Sequence, residues 1–142
     1  MKISTRGRYA IRLMIDLAEH NNGEYITLRD IADRQDLSEK YLEAIVSVLS
    51  KNNLLVSLRG KGGGYKLAKD PECYTIGSIL RLTEGSLAPV TCLEGSNSCS
   101  RSSECQTIEL WEVLNKLINE YLDGVTIADL VKNSDYTDNY II

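Results

Sequence analysis

The sequence predicts a mainly α fold: a winged helix-turn-helix domain with a small β-hairpin wing, followed by a long C-terminal dimerisation helix. Three observations lead there. Two short amphipathic segments, 28–35 and 39–52, are joined by a tight turn at Asp36, the layout of a helix-turn-helix. "LLVSLRGKGGGYKLA" (54–68) follows at once, two strand-like runs around a basic, glycine-rich tip, which reads as a hairpin. Further on, "TIELWEVLNKLINEYLDGV" (107–125) keeps helical periodicity for about five turns.

Each element has its own local reason. In 5–20, Ala10, Leu13, Met14, Leu17 and Ala18 form one helical face, and Ser4 can cap the start. "NNGEY" breaks that pattern. Thr27 caps the helix 28–35, which turns Leu28, Ile31 and Ala32 inward, and Asp36 tolerates the left-handed backbone of the turn. Ser38 caps the helix 39–52, Glu39 complements its positive end, and Leu42, Ile45, Val46 and Leu49 face the core. The wing is then strand 54–58, tip 59–64 and strand 65–68. Arg59 and Lys61, on glycine-flanked backbone, can approach DNA closely because glycine has no side chain to hold it off. The run "GKGGG" also suggests a phosphate-binding loop, but that needs a helix directly after it, and "YKLAK" continues as a strand.

Thr75 caps a helix 76–83, and 84–104 is a polar stretch longer than loops without a function usually are. In the long helix Trp111, Leu114, Ile118, Tyr121 and Val125 step by three and four, the seam spacing of a paired helix. Leu110 and Leu117 widen the stripe, so this helix is expected to bury one face on its own domain and one on a partner; core packing within a monomer is the alternative. "TIADLVK" adds a short helix, and the tail carries no signal. The expected organisation is 1–70 winged helix-turn-helix, 71–106 connecting helix and cysteine loop, 107–132 dimerisation helices, and 133–142 tail.

Composition bounds the function. The 142 residues are 43% apolar and 25% charged, as in ordinary soluble domains. No apolar run reaches the ~20 residues of a membrane helix, and charges interrupt the first segment, so no targeting peptide is read and a cytoplasmic location without membrane contact is expected. The net charge of −4 hides a split. Residues 1–69 hold twelve Lys/Arg against eight Asp/Glu, and residues 70–142 hold four against twelve. A basic first half and acidic second half suit a double-stranded DNA-binding module followed by a sensing or dimerising one. No nucleophile–base signature is present, and the lone His20 reads as a helix C-cap, so an enzyme is not expected.

The loop "TCLEGSNSCSRSSEC" places Cys92, Cys99 and Cys105 within fourteen residues. Three thiols cannot all pair with one another, and clustered cysteines in a cytoplasmic chain more often bind metal or sense redox state. Such a loop can hold an iron–sulfur cluster if a fourth ligand comes from elsewhere. A zinc site, which commonly uses C-x2–4-C pairs, and a clusterless thiol switch stay open as alternatives. Cys73 stands apart as a stray thiol.

"MKISTRGRYAIRLMIDLA", "LSEKYLEAIVSVLSKNNLLVSLRGKGGGYKLAKDP" and the cysteine loop leading into "LWEVL" together resemble the IscR-like (Rrf-type) bacterial transcription regulators, from Met1 to about residue 132. The resemblance implies a homodimeric winged-helix regulator whose long helix crosses to the other subunit, bringing Trp111, Leu114, Ile118 and Tyr121 to the dimer contact. A two-fold-related operator follows from that symmetry. It also implies DNA contacts from Ser38, Lys40, Tyr41 and Glu43 at the start of the third helix and from Arg59 and Gly60 in the wing; Lys61 joins them by its glycine-flanked place, and Lys2 and Ser4 are available for phosphates. Lys40 and Ala44 depart from the serine and glutamine of the family pattern, which puts the operator sequence in doubt. Cluster-binding members carry three loop cysteines, so Cys92, Cys99 and Cys105 take that role by resemblance, holding a cluster with [2Fe-2S] favoured over [4Fe-4S]. The fourth ligand is unknown, since the histidine expected three residues after the last cysteine is Ile108 here. The gap between the first two cysteines is also one residue longer than in the pattern. The regulator would sense iron–sulfur status or oxidative or nitrosative stress.

Overall fold

The computed structural model describes residues 2–94 and 104–131. Along the chain come α1 (Thr5–Glu19), α2 (Leu28–Gln35), α3 (Glu39–Lys51), β1 (Leu55–Leu58), β2 (Gly64–Leu67), α4 (Ile76–Glu84) and α5 (Ile108–Asp123). Short 3-10 turns lie at Pro71–Cys73 and Thr91–Leu93, and helix resumes at 127–131. This is the expected winged helix-turn-helix with a long helix after it. Cys99 and the 133–142 tail lie outside the described residues.

Four of the helices begin by one device. The hydroxyls of Ser4, Thr27, Ser38 and Thr75 accept from the backbone N–H of Gly7, Asp30, Tyr41 and Ser78, each three residues on. Every such bond satisfies a donor that the helix itself leaves without a partner. Asp36 closes α2 at φ 53°, as the turn requires.

The core is one cluster: Ala10, Leu13, Met14 and Leu17 of α1 against Ile31, Leu42, Ile45, Leu49, Ile79 and Ile127. Among the described residues one charge is buried with it. Asp16 is 1% exposed and receives Arg34 through two nitrogens, at 2.7 and 3.1 Å, and Gln35 at 3.0 Å. The carboxylate therefore fastens α1 to the end of α2, and these bonds raise the Arg34 pKa further.

The wing has a further backbone bridge that the sequence pattern does not reveal. Beyond the β1–β2 ladder (Leu55 opposite Leu67, Ser57 opposite Tyr65), Ile26 exchanges two 2.8 Å backbone bonds with Tyr65. Gly64 makes this approach feasible: at φ +149° a Cβ there would sit 2.2 Å from the Ile26 carbonyl oxygen. At the foot of the hairpin the buried Tyr74 hydroxyl donates to the Leu54 carbonyl and accepts from the Lys69 N–H, both at 2.8 Å. Burial pushes that phenol's pKa up.

Helix α5 is bound to α4 by Arg81, which donates to both Asp123 oxygens at 2.8 and 2.9 Å and to Asn119 at 2.6 Å. After α5 the chain turns back, with Ile76 N–H donating to Val125 O (2.8 Å) and Ile127 N–H to Tyr74 O (2.9 Å).

Candidate nucleic-acid interface and thiol loop

The outward face of α3 follows from its inward one. With Leu42, Ile45, Val46 and Leu49 buried, Lys40, Tyr41, Glu43, Ala44 and Ser47 are left exposed. Ser38, Lys40, Tyr41 and Glu43 are thus gathered on the first two turns, with the Ser38 hydroxyl accepting from Tyr41 N–H at 3.3 Å. Arg59, Gly60 and Lys61 are all exposed at the wing tip, with Gly60 at φ +92° in open space. A cleft of about 520 Å³ separates helix from wing, lined by Glu43, Ser47, Lys51, Leu58, Arg59 and Tyr65 among others. Ser47 is a member of this surface that the sequence reading did not single out. Its spacing, four residues after Glu43 and seven after Lys40, was the available signal.

Lys2 is exposed at the start of α1. Ser4 is already engaged inside the protein: its hydroxyl accepts from Gly7 N–H at 3.1 Å and donates to Glu84 at 2.6 Å. A phosphate would have to compete with that carboxylate.

Of the thiols, Cys92 is half-buried in the turn Thr91–Leu93, which packs against α5. Cys105 stands just before α5. Its sulfur lies 3.2 Å from the Thr107 hydroxyl, and that contact, with the N–H groups of Thr107 and Ile108, holds the thiol below its usual pKa. A helix start stabilises thiolate in this way, and thiolate is the form that binds metal. The turn that bears Cys92 touches α5, the helix that follows Cys105, and Leu93 shares a cleft with Asn115 and Asn119 further along it. Among the described residues no group of three or more His, Cys, Asp or Glu side chains is gathered as a metal site. Ile108 is the first residue of α5. His20 is bound to the Asp16 carbonyl at 2.9 Å, at the end of α1 away from the cysteine loop's start; α1 itself separates the two by about 22 Å. Cys73 is exposed in the turn after the wing.

Helix α5 presents Leu110, Val113, Leu114, Leu117 and Tyr121 to solvent, with Leu117 58% and Tyr121 71% exposed. The exposed seam is therefore 110, 114, 117 and 121, in steps of four, three and four. Of the four residues expected at a dimer contact, Leu114 and Tyr121 are exposed here. Ile118 instead packs against the domain core and Trp111 is half-buried. Ile118 and Leu122 pack on the core, and on the same side of the helix Asn119 and Asp123 accept from Arg81 of α4. No helix among the described residues is long and apolar enough to cross a membrane.

Comparison with known proteins agrees with this geometry. Residues 3–133 match the Rrf2 family, described as "Iron-dependent Transcriptional regulator". The chain is 38% identical over 135 residues to the HTH-type transcriptional regulator IscR of Yersinia pseudotuberculosis, covering 95% of this chain and 82% of that one. The IscR of Serratia proteamaculans matches to the same extent. Among solved structures, CymR (YrzC), "the Global Cysteine Regulator of B. subtilis", superposes with a TM-score of 0.78 at 38% identity, covering 94% of this chain and 98% of that one. The IscR of T. potens superposes at 0.73 with 40% identity, covering 94% and 88%.

Proposed function

The chain belongs to the Rrf2 family of transcriptional regulators, and from that premise we propose a homodimeric regulator that reads a two-fold-related operator and senses iron–sulfur status or oxidative or nitrosative stress through a labile cluster. The exposed start of α3 enters the major groove, and the wing lays Arg59 along the neighbouring minor groove, whose negative potential suits a guanidinium. Glu43 accepts from a cytosine amino group and disfavours bases that present only acceptors at that position. Leu110, Leu114, Leu117 and Tyr121 close against a second copy of α5.

The observation that carries the sensing half is the state of Cys105. Its sulfur lies 3.2 Å from the Thr107 hydroxyl just before α5, a contact that holds the thiol below its usual pKa. The donor set fits a cluster by chemistry, because iron–sulfur centres take cysteine thiolates. Cys92, Cys99 and Cys105 would hold it; when bound, it supplies one-electron chemistry and reactivity toward oxidants and nitric oxide. Cluster binding would tie the turn that bears Cys92 to Cys105, just before α5. That link would bias the tilt of the two DNA-reading heads through α5, which Arg81 joins to α4.

Anaerobic purification, a visible spectrum and iron and sulfide analysis test the sensing half, with Cys92, Cys99 and Cys105 all changed to serine as control. Charge-transfer bands with matched iron and sulfide, lost in the triple variant, are expected, and iron per chain then separates [2Fe-2S] from [4Fe-4S]. A colourless protein after anaerobic reconstitution would overturn the cluster in favour of a zinc or thiol switch. For the DNA half, Arg59→Ala should weaken operator binding by about 1–3 kcal/mol at fixed salt. An unchanged dissociation constant would remove Arg59 from the wing contact.

A further inference from the structure

Tyr9 of α1 and Tyr41 in the first turn of α3 meet edge to face, ring centroids 5.5 Å apart and planes at 77°. This geometry sets the positive edge of one ring on the negative face of the other. The guanidinium of Arg12 lies 5.5 Å from the centroid of the Tyr9 ring, within cation–π range. Arg12 is itself held: its Nε donates to Gln35 Oε1 at 3.1 Å and its terminal nitrogen to the Gln35 carbonyl at the end of α2. Gln35 donates in turn to the buried Asp16 at 3.0 Å. A continuous set of contacts therefore runs from the core carboxylate through Gln35, Arg12 and Tyr9 to an aromatic ring that is still 40% exposed.

Packing of α3 does not depend on this stack, since Leu42, Ile45, Val46 and Leu49 already bury its inner face. An exposed tyrosine on a helix start would otherwise exchange among staggered rotamers. We propose that Tyr9, held by Arg12, is a positioning residue for DNA recognition, fixing one rotamer of Tyr41 before the operator is met. The inference rests on α3 being the DNA-facing helix. Its physical content is preorganisation: the ordering cost of Tyr41 is met in folding rather than in binding.

The test titrates one duplex, enriched by wild-type protein from a random-sequence pool, at a single salt concentration. The proteins are wild type, Tyr9→Phe, Tyr9→Leu, Arg12→Met, Tyr41→Leu and the double variants that combine Tyr41→Leu with Tyr9→Leu or Arg12→Met. Tyr9→Leu is expected to bind about three- to tenfold more weakly, Tyr9→Phe like wild type, and each double variant no more weakly than Tyr41→Leu alone. Equal losses with and without Tyr41, or no loss in Tyr9→Leu, would overturn the positioning role while leaving the DNA reading in place. Wild-type affinity in Tyr41→Leu would remove Tyr41 from the DNA surface and overturn the positioning role, whereas failure of the wild-type protein to enrich any duplex would overturn the DNA reading itself. Should Tyr9→Leu fail to fold, Arg12→Met decides by the same comparison against its own double variant.

Discussion

The carboxylate of Glu84, last residue of α4, accepts from both the backbone N–H of Ser4 at 3.1 Å and its hydroxyl at 2.6 Å, so the start of α1 and the start of the cysteine loop are held at one point. Gly7 makes room for this, since a Cβ there would lie 2.3 Å from the same carboxylate oxygen. Glu84→Ala leaves two donors without an acceptor and should cost about 1–2 kcal/mol in urea unfolding. Glu84→Gln, which keeps an acceptor, should cost less. Equal stability of Glu84→Ala and wild type would show that water replaces the carboxylate without loss.

The Asp16–Arg34 pair predicts an asymmetry. Asp16 is buried while the Arg34 side chain is 35% exposed. Removing the arginine leaves a buried charge, whereas removing the carboxylate leaves a guanidinium that can reach water. Arg34→Ala should therefore destabilise by about 3–5 kcal/mol and Asp16→Ala by less. Chemical denaturation of both variants measures the difference, and the reverse order would refute the argument.

Two wing glycines should respond differently to alanine. At Gly64 the new Cβ meets the Ile26 carbonyl, so the Ile26–Tyr65 bridge must open, at a cost of roughly 2–4 kcal/mol. At Gly60 the space is open and only the left-handed backbone resists, at about 1 kcal/mol. Thermal unfolding reports the stability difference, and amide exchange at Ile26 and Tyr65 reports loss of the bridge.

The apolar seam of α5 predicts an assembly defect. Leu117→Glu places a charge in the middle of 110–121 without touching the protomer core. Sedimentation should show at least a tenfold weaker dimer, about 1.4 kcal/mol, with unchanged helical content. A variant as dimeric as wild type would place the interface elsewhere.

Arg81 holds the Asp123 carboxyl below its usual pKa. A lowered folded pKa means stability present above the unfolded value of ~3.9 and lost as the pH falls through the folded one. Both side chains are more than a third exposed, so solvent screening keeps the contribution under about 1 kcal/mol. Asp123→Asn should thus be slightly less stable than wild type at pH 7, the gap narrowing as the pH falls below about 4. A gap that widens on acidification would contradict this sign.

Local sequence determined a good deal. The four hydroxyl caps, the left-handed Asp36, the inward faces of α1 to α3 and the basic hairpin were all legible, because each depends on residues within one or two turns of one another. The thiol loop was legible as a spacing. Tertiary structure decided what depends on distant partners. The Ile26–Tyr65 bridge joins segments 39 residues apart and carries no periodicity of its own. The engagement of Ser4 by Glu84 crosses 80 residues, so a hydroxyl that looked available to phosphate is held inside. The Tyr9–Tyr41 stack needs two helices to cross. The apolar stripe of α5 admitted two rotations about the helix axis, and packing of Ile118 and Leu122 on the core, with Arg81 bonded on the same side, selected the one that leaves Leu117 in solvent. Periodicity reports that a face is apolar; what covers it is settled only when the rest of the chain, or a second copy, is in place.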